Sequence, residues 1–413
     1  MPSIFSTPIL IAVGFVAEID ALAVWQQHRS DAAVEFIPSF ESFIQQYSKS
    51  YSAVAQQNGQ HEEVARRQQI YEERAAAAMK QNSRENRRWT AGVNKLWDWS
   101  ETELSSLRGY KKQGLPSAGT PRGLLRGSPG YFSLLQNQSS DEHHDDEEDV
   151  SKGLADLPTE VDWRDVKALE QIRSQGACGS CWAIAASTVL QAHTEIHTGK
   201  TRTFSAQQLV SCVQNPQQCG GTGGCKGATV ELAMDFVMAN GLPEEHEVPY
   251  MAQDIKCSTP VQTIVLASGV HRERTNFGMT SWQKLTENSY LPLMKALVDK
   301  GPVAVSASAD LWASYQSGIF DGCQKDAVVN HAIVAVGFGA DDKSGDKYWI
   351  IQNSWGNDWG ENGYIRLLRT DKDHKYCGID RDPSQGTGCA GGPSEVTVCG
   401  MCGVLYDSVV PLF

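Results

Sequence analysis

The cysteines of this chain divide it into two unlike parts. All eleven lie between Cys178 and Cys402, and the 177 residues before them contain none. An odd number of cysteines fits five disulfide bridges and one free thiol in an oxidising compartment. We therefore expect covalent links to hold the C-terminal part, whereas the N-terminal part must fold without them.

One cysteine stands in a setting that suits a nucleophile. The run from Gln175 to Trp182 reads Gln-Gly-Ala-Cys-Gly-Ser-Cys-Trp, and an apolar, helix-like stretch follows it at residues 183–190. A thiol at a helix N-terminus feels the positive end of the macrodipole, which favours the thiolate that attacks carbonyl groups. The Gln175 side chain and the backbone N–H of Cys181 could together receive an oxyanion.

Two later segments supply the groups that such a thiol needs. His331 begins a β-branched, strand-like run, and Asn353 ends another apolar run before Ser-Trp-Gly. The histidine lies 150 residues after Cys181, and the asparagine lies 22 residues after the histidine. An imidazole that takes the proton and a group that orients the imidazole would complete a nucleophilic constellation.

Together these motifs resemble the papain-like cysteine proteases, whose Cys, His and Asn occur in this order at roughly this spacing. The resemblance implies that Cys181 is the nucleophile, His331 the general base and then acid, and Asn353 the group that holds the imidazole. It also implies that Gln175 lines the oxyanion hole and that Trp355, beside the substrate, shields the His–Asn hydrogen bond. The implied fold is α+β and papain-like. Its helical half carries Cys181, its β-rich half carries His331 and Asn353, and the cleft lies between them.

The resemblance further implies three disulfide bridges, which are Cys178–Cys225, Cys212–Cys257 and Cys323–Cys402. The remaining cysteines can pair in three ways; they are Cys219, Cys377, Cys389 and Cys399. Among these ways we expect a local surface-loop bridge near Cys389 to Cys402.

Each motif alone has a simpler interpretation. Cys178 and Cys181 form a Cys-x-x-Cys pair, which by itself fits a redox dithiol or half of a zinc site. A zinc site would want a second Cys/His pair at short spacing, and His143-His144 is not a convincing one because it sits in an acidic run. The sequence implies no metal and no organic cofactor.

The charge of the chain is acidic and locally concentrated. The net charge is −13, and the absence of a basic stripe argues against a nucleic-acid partner. Seven carboxylates lie in residues 139–149, inside a Gly-, Ser- and Pro-containing stretch at 108–156. This composition is typical of a flexible, solvated linker that proteases can reach. The linker also carries Asn137, in the one glycosylation sequon of the chain.

The N-terminus has features of a signal peptide. Residues 8–17 form an apolar core that is too short to span a bilayer, and Ala21-Leu22-Ala23 offers a cleavage site, although no Lys or Arg precedes the core. We expect a signal peptide at 1–23 and entry into the secretory pathway, with lysosome, vacuole and cell exterior left open. No other segment is apolar enough to predict a membrane span.

Residues 24–107 are predicted to form a helical prodomain. Aromatic residues from Phe36 to Tyr51 recur at near-helical spacing, and a long charged helix is predicted from about His61 to Arg88. Cathepsin L-like propeptides share several residues of this helix, namely Glu63, Arg67, Ile70, Tyr71 and Asn82, whereas Arg74 and Ala78 depart from their pattern. Residues 92–98 resemble the propeptide motif Gly-x-Asn-x-Phe-x-Asp, with Leu96 in place of Phe. The resemblance implies an intramolecular inhibitor that crosses the cleft in the reverse direction to substrate.

Residues 157–413 are expected to form the mature peptidase domain, since Leu157 to Arg164 matches the family's opening sequence. The resemblance places Gly227 and Ala228 at the edge where substrate pairs as a strand, with Ala228 replacing a usual glycine and tightening the rim. It lines the pocket for P2, the second residue before the scissile bond, with Val230, Val329 and Ala332. Asp407 closes that pocket. We predict that P2 is apolar or Arg, with Arg favoured as Asp407 ionises.

The predicted function is that of a monomeric cysteine endopeptidase made as a zymogen and acting on proteins or peptides. The resemblance favours an endopeptidase, because exopeptidase variants of the family carry an inserted His-bearing loop that blocks one end of the cleft, and no such insertion lies between Cys225 and Cys257. Two other classes remain, a catalytically inactive peptide-binding relative and a thiol–disulfide oxidoreductase. The complete catalytic set argues against the first, and the number of cysteines argues against the second.

Overall fold

The computed structural model describes residues 37–51, 60–109, 157–257 and 277–413. The predicted signal peptide, the acidic run and Asn137 lie outside the described residues. None of the helices within those ranges has the length and apolar character needed to cross a membrane.

The first described part is the N-terminal segment, which we define as residues 37–51 and 60–109. It contains helix α1 (Phe40–Gln46), helix α2 (Gln60–Asn82), strand β1 (Trp89–Ala91) and helix α3 (Glu101–Leu107). A small aromatic core joins these elements, and in it the rings of Phe43 and Tyr71 lie 4.8 Å apart. Because the segment has no cysteines, this core stabilises it without disulfide bridges.

Helix α2 ends at Asn82, whereas the sequence predicts a helix as far as Arg88. The Asn82 side chain makes two hydrogen bonds with the backbone of Ala91, at 2.8 Å to its carbonyl and 2.9 Å from its N–H. These bonds turn the chain back so that residues 89–91 can form β1. A tertiary contact therefore ends the helix where local propensity would continue it.

The N-terminal segment shares a core with the rest of the protein. Leu96 is buried among the side chains of the β-rich half together with Leu104 and Leu107. The contacts of the segment continue through Arg108 and Gly109, which are buried. Arg108 and Gly109, the first two residues of the predicted linker, are therefore packed in the structure together with the segment.

The helical half follows, beginning with the short strand β2 (Val161–Asp162). Its helices are α4 (Cys181–Thr198), α5 (Ala206–Cys212) and α6 (Val230–Asn240). Every residue of α4 from Cys181 to Thr194 is buried, so this helix is central. It ends at Gly199, whose φ of +68° is the left-handed conformation that glycine adopts readily.

The β-rich half is built on one long sheet. Its elements are β3 (Ser281–Lys284), α7 (Tyr290–Asp299), β4 (Val303–Ala307), β5 (Tyr315–Phe320), β6 (His331–Ala340), β7 (Lys347–Gln352), β8 (Tyr364–Arg369), β9 (Cys377–Asp380), β10 (Val396–Cys399) and β11 (Ser408–Leu412). The sheet order is β1-β5-β8-β7-β6-β4-β11-β3, with β2 paired to β6 and with β9 and β10 forming a separate pair. The N-terminal segment thus adds β1 to the sheet edge, antiparallel to β5. The predicted α+β fold with a helical and a β-rich half is confirmed.

Candidate active site

Cys181 is the first residue of α4, at the end of the helix where backbone N–H groups lack intrahelical acceptors. All eleven cysteines lie in the described ranges, and among them Cys181 is the one without a bridge. Its Sγ accepts a hydrogen bond from the backbone N–H of Ala332 at 3.4 Å. Since Ala332 follows His331, the thiol meets the first residues of β6 across the cleft.

His331 begins β6, and Asn353 directly follows β7, the antiparallel neighbour of β6. This pairing brings them together, with 2.8 Å between His331 Nε2 and Asn353 Oδ1. The indole ring of Trp355 covers the pair, 5.2 Å from the imidazole centroid. His331 Nδ1 is buried and has no hydrogen-bond partner among the described residues, so it is the ring nitrogen free to exchange a proton.

Gln175 is held in place from several directions. Its Oε1 accepts a hydrogen bond from Ser354 Oγ at 2.7 Å, and Tyr250 donates to its backbone carbonyl at 2.9 Å. These contacts aim Gln175 Nε2 at the turn before α4, where it donates to the Cys178 carbonyl at 2.9 Å. Sequence reasoning did not identify Ser354 as a support for this amide.

The N-terminal segment occupies the site. Gln175 Nε2 also donates to the carbonyl oxygen of Leu107 at 2.8 Å. The backbone N–H of Gly109 is hydrogen-bonded to Cys181 Sγ. A Cβ on Gly109 would lie 2.2 Å from that sulfur, so only glycine permits this approach.

Burial keeps both candidate catalytic groups neutral in this arrangement. Desolvation raises the pKa of the Cys181 thiol to about 11, although backbone N–H groups of Ala332, Gly109 and Trp182 partly oppose it. Desolvation lowers the pKa of His331 to about 4. The hydrogen bond with Asn353 opposes this shift, and the positive charge of Arg108 adds to it. A thiolate–imidazolium pair is therefore disfavoured while the segment covers the cleft.

Gly227 and Ala228 lie beside this point but differ in their surroundings. Gly227 has φ of +93°, and a Cβ there would lie 1.5 Å from the Gly109 carbonyl oxygen. The covering chain therefore runs against Gly227. Ala228 is fully buried within the core of the helical half.

The residues expected around P2 come from both halves, since Val230 begins α6 and Ala332 lies in β6. Val230, Val329 and Ala332 are buried. Asp407 is buried too, and its Oδ2 accepts a hydrogen bond from Ser306 Oγ at 2.8 Å. Its Oδ1 lies 3.4 Å from Lys284 Nζ, a partner that sequence reasoning missed.

Lys284 is the centre of an acidic cluster. Its Nζ lies 3.8 Å from Glu231 and 2.9 Å from Glu287 in addition to Asp407. Burial disfavours the lysine charge, but Asp407 and Glu231 outweigh it and raise its pKa. Desolvation and the charge of Asp407 raise the pKa of Glu231 to about 7. Lys284 lies in β3, far in sequence from Asp407, and the sheet pairing of β3 with β11 brings the two side chains together.

Five disulfides link the C-terminal part. Three are the pairs that the resemblance implies, Cys178–Cys225, Cys212–Cys257 and Cys323–Cys402. The expected local bridge near Cys389 to Cys402 is wrong. Cys389 pairs instead with Cys219, 170 residues away, and Cys377 pairs with Cys399 across the β9–β10 ladder.

Comparison with known proteins agrees with this geometry. The family described as "Papain family cysteine protease" matches residues 157–387. "Cysteine protease 1" of Oryza sativa subsp. japonica is 38% identical over 221 residues, which are 52% of this chain and 42% of the rice protein. The chain thus spans less than half the length of that relative.

Two further matches include the N-terminal segment. "Cysteine endopeptidase RepA" of Oryza sativa subsp. japonica is 31% identical over 352 residues, 84% of each chain. The solved structure "Recombinant stem bromelain precursor" covers 91% of this chain and 97% of its own, with a TM-score of 0.63 and 26% identity. On the family match and this full-length similarity, the chain belongs to the papain family of cysteine proteases.

Proposed function

We propose that this protein is the zymogen of a secreted or vacuolar/lysosomal cysteine endopeptidase. In this proposal residues 1–23 are a signal peptide, the N-terminal segment is an inhibitory prodomain, and residues 157–413 are the peptidase domain. One observation carries it: the Leu107 carbonyl is hydrogen-bonded to Gln175 while Gly109 lies against the Cys181 sulfur. The segment thus occupies the place beside Gln175 and Cys181 where the scissile carbonyl group of a substrate must bind.

Acylation begins when the segment leaves and water reaches the cleft. The Cys181 proton passes to His331 Nδ1, and the thiolate attacks the carbonyl carbon of the scissile peptide bond. The carbonyl π electrons move to the oxygen, which receives hydrogen bonds from Gln175 Nε2 and the Cys181 N–H. The imidazolium then gives its proton to the amide nitrogen, the C–N bond breaks, and a thioester remains.

Deacylation reverses the roles. Water gives a proton to His331 and attacks the thioester carbonyl, and collapse of the adduct breaks the C–S bond and restores the thiolate. Asn353 keeps the imidazole plane oriented through both steps. Trp355 excludes water from the His–Asn hydrogen bond, which strengthens it.

Opening of the zymogen should be linked to protonation. The pKa of His331 is about 4 in the covered site, so an open state with the ordinary value of 6.5 binds more protons between these limits. The covered state consequently loses stability as the pH falls from 6.5 to 4. Over this range the equilibrium constant for opening should rise by at most about 300-fold.

Glu103 acts in the same direction at lower pH. Burial opposes its charge, but hydrogen bonds from Arg67 and Ser100 outweigh burial and lower its pKa to about 2. The stability that ionised Glu103 contributes to the segment is therefore present above pH 4.5 and is lost as the pH falls toward 2. Acid activation follows from both groups.

At P2 we propose an apolar residue or Arg. Val230, Val329 and Ala332 supply apolar walls, and Asp407 supplies a carboxylate. Lys284 modifies the original expectation, because a substrate arginine must compete with this resident cation. We therefore expect Leu or Phe to be cleaved best and Arg to be accepted second.

The test is hydrolysis of fluorogenic Phe-Arg and Leu-Arg dipeptide amides by the purified precursor after incubation at acid pH, beside Cys181→Ala. We expect activity to appear as the N-terminal segment is lost, and to be absent from the variant. A folded, fully processed wild-type protein without turnover would contradict the proposal and favour a peptide-binding role.

A further inference from the structure

Arg108 is the residue of the N-terminal segment that lies between its two contacts with the catalytic centre. Leu107 before it is bonded to Gln175, and Gly109 after it lies against Cys181 and Gly227. The Arg108 guanidinium leaves this path and forms ion pairs with Glu101 of the segment and Asp310 of the peptidase domain. Its side chain is only 10% exposed.

Asp310 is fixed next to the catalytic histidine. Asn330 directly precedes His331, and its Nδ2 donates to Asp310 Oδ1 at 2.8 Å. The Asn330 Oδ1 accepts from the backbone N–H of Ala309 at 3.1 Å, which ties the loop after β4 to the start of β6. Burial is the largest cause of the lowered pKa of His331, and the nearby positive charge of Arg108 lowers it further.

Asp310 would become available when the segment leaves. Its side chain is 45% exposed even with Arg108 bound, and the neighbouring Leu311 is exposed. Glu101, the other carboxylate on Arg108, departs with the segment. A carboxylate with a single side-chain hydrogen bond to Asn330 then faces solvent beside the catalytic centre.

The position of Asp310 assigns it to one side of the scissile bond. Gly227, on the Cys181 side, borders the acyl half of a substrate that pairs as a strand. Asp310 lies on the His331 side, and His331 is the group that protonates the leaving amine. A side chain just after the scissile bond therefore projects toward Asp310 rather than toward Gly227.

We propose that Asp310 is a specificity-determining residue that binds a guanidinium or ammonium group on the first substrate residue after the scissile bond. This inference rests on the proposed endopeptidase function. In the zymogen Arg108 pairs with the Asp310 carboxylate. The segment therefore places its own arginine in the subsite that would bind a substrate arginine or lysine. Carboxylate–guanidinium pairs of this kind combine charge with directional hydrogen bonds.

The experiment uses processed enzyme and three quenched fluorescent peptides that differ only after the scissile bond, where they carry Arg, Leu or Glu. We expect kcat/KM to fall in that order for the wild type. Asp310→Asn keeps an acceptor for Asn330 and removes the charge. It should reduce kcat/KM for the Arg peptide about three- to tenfold, leave the Leu peptide within about twofold and improve the Glu peptide.

Asp346→Asn is the matched control. Asp346 also pairs with an arginine of the N-terminal segment, Arg88 at 2.8 Å, but it lies in the turn between β6 and β7. It should leave all three rates unchanged. If Asp310→Asn lowers kcat/KM equally for all three peptides, Asp310 has a structural role. If it changes kcat/KM for none of them, Asp310 does not contact substrate. Either result overturns this inference but leaves the proposed function standing. A processed wild type that cleaves none of the peptides contradicts the proposed function itself.

Discussion

Arg74 offers the sharpest test of how the N-terminal segment is held together. Its side chain departs from the propeptide pattern, and it donates three hydrogen bonds to backbone carbonyls of one turn. Nη1 reaches Leu96 at 2.7 Å and Trp97 at 2.8 Å, and Nη2 reaches Trp99 at 2.6 Å. This turn leads into α3 and the residues that cover Cys181.

The cost of removing Arg74 can be worked from these bonds. Hydrogen bonds to charged groups contribute about 1.5–3 kcal/mol each, so three would amount to about 4.5–9 kcal/mol gross. Burial opposes the guanidinium charge and lowers its pKa, although Glu101, Asp98 and Glu103 favour the charge. Removing the charge recovers that desolvation, and we expect a net loss of about 3 kcal/mol for Arg74→Met, or about 100-fold in the opening equilibrium.

The assay is the urea-induced unfolding of the N-terminal segment in full-length Cys181→Ala protein, followed by tryptophan fluorescence, together with the rate of acid processing in the active background. Arg66→Met is the matched control on the same helix, because Arg66 is 58% exposed and lies 3.8 Å from Glu63. The control should cost no more than about 0.5 kcal/mol. Equal stability and equal processing rates in the two variants would refute the reasoning.

Three further predictions follow from the site and the disulfides. At pH 7 the covered Cys181, with its pKa raised to about 11, should be only about 0.01% thiolate. The rate of its alkylation by iodoacetamide should therefore rise about tenfold per pH unit in the zymogen but not in the processed enzyme. Matching pH profiles for the two forms would contradict this. Lys284→Met removes the resident cation beside Asp407 and should raise the Arg-to-Leu ratio of kcat/KM at P2 about tenfold. The control Lys300→Met should leave the ratio unchanged, because the Lys300 ammonium is hydrogen-bonded to Gln283 at 2.8 Å. An unchanged ratio in Lys284→Met would remove Asp407 from the P2 pocket. Replacing Cys219 and Cys389 together by Ser should lower the free energy of unfolding by about 2–4 kcal/mol in chemical denaturation, and an unchanged midpoint would mean that this link between distant loops adds no stability.

Local motifs were sufficient to identify the residues that meet in the cleft. Cys181, His331, Asn353 and Gln175 each stand in a short segment whose residue types suit one chemical role, and the fold brings all four together. The α+β class came from the resemblance of these motifs to the papain-like proteases, and the helix-like run after Cys181 and the strand-like runs at His331 and Asn353 agree with it.

Contacts between residues far apart in the chain could not be predicted from the sequence. Cys219 has three possible partners among the cysteines that the resemblance leaves unassigned, and only the folded loops bring Cys389 to it. The end of α2 at Asn82 likewise depends on a contact with Ala91, which local helix propensity does not register.

The division between the two sources of information has a physical basis. The side chains able to do chemistry could be identified from the sequence, because nucleophilicity, basicity and helix or strand preference are properties of a residue and its near neighbours. The surroundings of those side chains became visible only in the folded protein, where Arg108 pairs with Asp310, Lys284 lies between Asp407 and Glu231, and Leu107 accepts a hydrogen bond from Gln175. Charge pairing and desolvation act through space, and residues 200 positions apart come within hydrogen-bond distance only after the chain has folded.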